Sequence, residues 1–127
     1  TWDAGFRAYA VLVTNRKFAR EHPEELRAFM RAYIHGWRSY LEENPAPAHA
    51  ALKAANPNNT DDFMAFSRKM IIDAHLVTGR DESSGPAQIG RLEPSRFATQ
   101  IQQLEELGIL KKGKVTAESA MTTAFLQ

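Results

Sequence analysis

The chain contains no cysteine among its 127 residues. Disulfides and thiolate metal sites are therefore excluded, while the redox compartment stays open, because a disulfide-free protein suits the cytosol and the periplasm alike. A charge excess is also lacking, since 16 Lys+Arg stand against 15 Asp+Glu for a net charge of +1. Nucleic-acid binders carry a basic surplus to neutralise phosphates, so no nucleic-acid partner is expected. There is no run of about 18 apolar residues, the length a membrane-spanning helix needs. The first residues also lack the charged-then-apolar pattern of a signal peptide.

The usual catalytic and metal-binding spacings are missing too. His22, His35, His49 and His75 are well separated, with no second histidine three or four residues away, so the His-Glu-x-x-His zinc pattern is not met. Ser83-Ser84-Gly85 does not complete a Gly-x-Ser-x-Gly nucleophile elbow. The stretch from Gly79 to Gly85 has a phosphate loop's glycines but not its Gly-Lys-Ser/Thr ending, and Asp81 and Glu82 would repel a phosphate. Those two carboxylates do not form the ligand ladder of a calcium loop either. No metal and no cofactor is expected.

What is present is 43% apolar residues, enough for one hydrophobic core in a chain that can remove roughly two-thirds of its unfolded surface from water. Ala8 to Thr14 is the one segment dominated by β-formers, and it reads as a strand buried on both faces. A lone strand leaves its ladder donors and acceptors unpaired, so it has to pair with further chain or with another copy. Helices are expected at about 15–21, 23–42, 47–55, 61–77, 94–107 and 116–123. Pro23 with Glu24 and Glu25 marks a helix start, Thr60-Asp61-Asp62 caps the fourth helix, and Gly108 closes the fifth.

Three apolar faces are expected to point inward. On the second helix Leu26, Phe29, Met30, Tyr33, Ile34, Trp37, Tyr40 and Leu41 recur at steps of three and four. On the fourth the face is Phe63, Phe66, Met70, Ile71 and Ala74, and on the fifth Phe97, Ile101, Leu104 and Leu107, with Ile109 and Leu110 packing after it. The segment Thr78 to Gly90 reads as a long loop. Lys111-Lys112-Gly113-Lys114 reads as a solvated basic turn. Near the start, Trp2, Asp3, Phe6 and Tyr9 gather flat rings and a carboxylate beside the strand. They would suit a pocket for a planar, hydrogen-bonding solute, and equally would suit packing against further chain.

The order of these pieces resembles a known family. The strand, then Arg20-Glu21-His22-Pro23-Glu24-Glu25-Leu26-Arg27-Ala28-Phe29, Ala32-Tyr33-Ile34-His35-Gly36-Trp37 and Tyr40-Leu41-Glu42-Glu43-Asn44-Pro45 are similar to the C-terminal portion of the thiamine-precursor-type (NMT1/THI5-like) solute-binding proteins of ABC importers. Ile89-Gly90-Arg91-Leu92-Glu93-Pro94-Ser95-Arg96-Phe97, Leu104-Glu105-Glu106-Leu107-Gly108-Ile109-Leu110 and Thr123-Ala124-Phe125-Leu126 resemble that family's ending.

The resemblance implies a mainly α chain with one or two β-strands. It would be a single partial domain over 1–127, the C-terminal segment of a two-lobed α/β periplasmic-binding-protein fold of type II-like architecture, closing by a hinge around its ligand. An opening at Thr1-Trp2-Asp3 without Met is read in the same sense, as part of something longer. The resemblance further implies a non-enzymatic receptor in the periplasm, or lipid-anchored outside the cytoplasm. Its partners would be a small solute, such as a thiamine-pyrimidine precursor, and an ABC permease. Trp2, Asp3 and Tyr9 are the expected ligand contacts.

The family also includes pyrimidine-precursor synthases marked by a cysteine-rich motif, which makes an enzyme of the same fold the alternative. Another alternative is an interaction fragment, a homodimer formed through the strand 8–14.

Overall fold

The computed structural model describes residues 11–78 and 89–126. Six helices are found among them: α1 (Arg16–Glu21), α2 (Pro23–Glu42), α3 (Ala46–Ala55), α4 (Asp61–Asp73), α5 (Pro94–Glu106) and α6 (Ala117–Ala120). The chain divides into two compact units. Unit 1 takes the chain up to Arg27 together with that from Arg91 on, and unit 2 takes Ala28–Gly90. Helix α2 passes from one unit into the other.

Most helix starts follow local chemistry. The Asn15 side chain accepts a hydrogen bond from the Phe18 N–H at 2.8 Å, and Thr60 Oγ1 does the same for Phe63 at 3.2 Å. Each satisfies one of the donors that a helix leaves open at its first turn. Pro23 opens α2, where a missing N–H costs nothing, and Glu24 and Glu25 face the positive end of the helix dipole. Thr116 closes a reciprocal capping box with Ser119, which is what allows a helix of only 4 residues to form at α6.

The strand expected over 8–14 is not formed in its described part. Residues 11–14 belong to no strand and are exposed, Val13 at 88%. No strand occurs among the described residues, so no ladder is available to hold them. Residues 8–10 lie outside the described residues. The described residues therefore form helices and irregular segments, without the one or two strands expected.

Two helix ends depart from their expected positions. The fourth helix stops at Asp73 rather than near 77, because His75 turns left-handed with φ 50°. The His75 N–H then donates to the Ile72 carbonyl at 3.0 Å and the Leu76 N–H to the Ile71 carbonyl at 3.1 Å, the two bonds of a Schellman termination. The last helix covers Ala117–Ala120 instead of 116–123.

The apolar faces are covered less than their periodicity implies. Among the described residues only Met64, Ile89 and Ala117 are buried hydrophobics. In α4 the inward position is Met64, at 3% exposure, while Phe63 and Phe66 on the expected face are 57% and 63% exposed. Phe29, Tyr33, Leu107 and Ile109 are exposed as well, whereas Trp37, Tyr40, Phe97, Ile101 and Leu104 are half-buried.

Within unit 1, α5 and α6 pack against each other, and the guanidinium of Arg16 donates to the Ser119 carbonyl at 3.1 Å. Arg27 sits 6.0 Å from the centre of the Phe125 ring. The basic turn after α5 is present as expected, and the Gly113 N–H donates to a Glu105 carboxylate oxygen at 2.7 Å.

Candidate functional site

Unit 2 has an aromatic groove of about 630 Å³ built from α2, α3 and α4. One wall is the face of α2 that carries Tyr33, Gly36, Trp37 and Tyr40, residues three or four apart and so on one side of the helix. Their rings meet edge to face, Tyr33 to Trp37 at 6.5 Å and Trp37 to Tyr40 at 6.1 Å, the arrangement favoured by the aromatic quadrupole. Gly36 lies between the rings with no side chain and nothing near the place a Cβ would take, which leaves the middle of the wall open. Ala48, Ala51 and Leu52 of α3, Phe63, Met64, Ser67 and Ile71 of α4, and Asn59 between them line the remainder.

A polar cluster fixes the end of the groove at Tyr40. Arg68 of α4 donates through Nε to the Tyr40 carbonyl at 2.8 Å and through a terminal nitrogen to the Leu41 carbonyl at 2.6 Å. These carbonyls belong to the last turn of α2, which has no helical partners of its own to offer them. The guanidinium also lies 5.9 Å from the centre of the Tyr40 ring. The Tyr40 hydroxyl and His49 Nε2 are 3.2 Å apart, with their rings edge to face at 5.7 Å.

The segment between α3 and α4 is shaped by asparagines. The Asn58 N–H donates to the Asn56 side-chain oxygen at 3.1 Å, and the Asn59 amide donates to the Leu52 carbonyl at 3.0 Å. Lys53 Nζ then reaches Asp61 at 2.7 Å, joining the end of α3 to the start of α4. That hydrogen bond, and next the Lys53 charge, hold the Asp61 carboxyl below the usual range.

Chemically the groove offers flat apolar surface and few polar groups. No group of three His, Cys, Asp or Glu that could hold a metal occurs among the described residues. His22 and His75, like His49, have ordinary partners. His22 Nδ1 lies 3.1 Å from Glu25, whose carboxyl this bond lowers, and it stacks on Phe18 at 4.7 Å. His75 Nδ1 lies 3.4 Å from the Thr78 hydroxyl.

The ligand contacts expected from the sequence, Trp2, Asp3 and Tyr9, lie outside the described residues, as does Phe6. The groove's own residues were present in the sequence as an apolar stripe on α2, which marks a face but not a concavity. Arg68 had no signal at all, since its carbonyl partners are 27 and 28 residues away.

In comparison with known proteins, the family model described as NMT1/THI5 like matches residues 2–48. The match covers α1 and α2 and reaches the first residues of α3, and it supports the family over that part of the chain. No curated protein and no solved structure matches the chain. No described helix is long and apolar enough to cross a membrane.

Proposed function

We propose that this chain is part of the solute-binding component of an ABC importer, a non-enzymatic receptor working outside the cytoplasm, in the periplasm or lipid-anchored. The observation that carries this reading is the NMT1/THI5-like match over residues 2–48. The later motifs, from Ile89 to Phe97 and from Leu104 to Leu110, extend the likeness beyond the matched span. In this reading the complete receptor is a two-lobed α/β fold that holds a thiamine-pyrimidine precursor between its lobes and delivers it to a permease. Trp2, Asp3 and Tyr9 are the proposed ligand contacts, with no metal, cofactor or nucleic acid involved. The groove of unit 2 is not assigned to that solute.

A thermal-shift screen of the full-length gene product tests the proposal, using thiamine-pyrimidine precursors, sulfonates and nitrate in parallel. A ligand that binds only the native state stabilises it by about 2.7 kcal/mol when present at 100 times its Kd. A raised Tm with a pyrimidine, with the compound recovered unchanged, supports the receptor. A shift confined to sulfonate or nitrate would keep the receptor and replace its solute. Conversion of the compound would favour the synthase, and no shift with any of the three classes would overturn the reading.

A further inference from the structure

No further inference is drawn: the strongest candidate, the aromatic groove of about 630 Å³ between α2, α3 and α4 in unit 2, is an unpartnered apolar face and nothing in the structure shows what covers it.

Discussion

Helix α5 in unit 1 and helix α4 in unit 2 end in the same pair of hydrogen bonds, but one uses Gly108 and the other His75 at the left-handed position. At α5 the Gly108 N–H donates to the Glu105 carbonyl at 3.0 Å and the Ile109 N–H to the Leu104 carbonyl at 2.9 Å, with φ 70° at Gly108. At α4 His75 occupies the equivalent position at φ 50°. Glycine adopts this conformation without steric cost, whereas a Cβ there crowds the following carbonyl oxygen by about 1–2 kcal/mol. The α4 ending thus carries a strain that the α5 ending lacks. Helix α2 shows a third solution, in which the charged side chain of Arg68 comes from another helix to take the last carbonyls. A helix can therefore be stopped by its own backbone or by a tertiary partner, and only the first kind is written locally.

The largest expected effect comes from removing the tertiary cap. Arg68→Met deletes two hydrogen bonds from a charged donor and is expected to cost about 2–3 kcal/mol, read as a fall in the denaturant midpoint. Arg68→Lys keeps the charge but not the planar fork, so it should fall between the two. A wild-type midpoint for Arg68→Met would show that α2 does not depend on this cap.

Next in size is Gly108→Ala, which places a side chain at φ 70° and is expected to destabilise by about 1 kcal/mol. The position has open space around it, so backbone strain alone should account for the loss. The reverse experiment is His75→Gly, expected to raise stability by about 0.5 kcal/mol because relief of strain is partly offset by the greater freedom of glycine in the unfolded chain. If His75→Gly lowered the midpoint instead, the His75–Thr78 contact would outweigh the strain and the two endings would not be equivalent.

The smallest effect concerns pH. Glu25, Asp61 and Glu118 are all held below the usual carboxylate range. The causes are, in turn, the hydrogen bond with His22, the hydrogen bond and then the charge of Lys53, and the backbone N–H of Glu118 itself followed by the Thr116 hydroxyl. A depressed folded-state pKa gives stability that is present above the unfolded value and lost as pH falls through the folded one. Acid titration of Tm should therefore show a gentle decline in the carboxylate range. All three groups are exposed, so screening keeps each contribution small. Asp61→Asn should lower Tm slightly near neutrality and flatten part of that decline, so that the two proteins converge in acid; an unaltered acid limb would remove Asp61 from the account.

Much of the helical order was legible because its causes lie within a few residues of each other. Thr60 with Phe63, and Pro23 with its two glutamates, each form a start signal inside one turn. The left-handed Gly108 is a stop signal of the same range. The left-handed His75 was not legible, since histidine is an uncommon residue for that conformation. The inward position of α4 was misplaced because periodicity offers Phe63 and Phe66 as strongly as Met64, and only packing neighbours decide among them. Residues 11–14 were misread for a related reason: a run of β-formers specifies a strand only when a ladder exists to receive it.

By itself the sequence determined where α1, α2, α3 and α5 lie, that α2 carries a continuous aromatic face, and that no cysteine chemistry is possible. It also carried the likeness to the NMT1/THI5-like family over residues 2–48. Only the tertiary structure decided that Arg68 closes α2, that Tyr33, Trp37 and Tyr40 form one wall of a groove, and that Gly90 passes close to Ile34. A Cβ on Gly90 would meet that side chain at 2.8 Å. The physical reason is range. A cap or a turn draws on neighbours within four or five residues, whereas a groove, a cross-helix cap or a strand ladder exists only when distant segments arrive together.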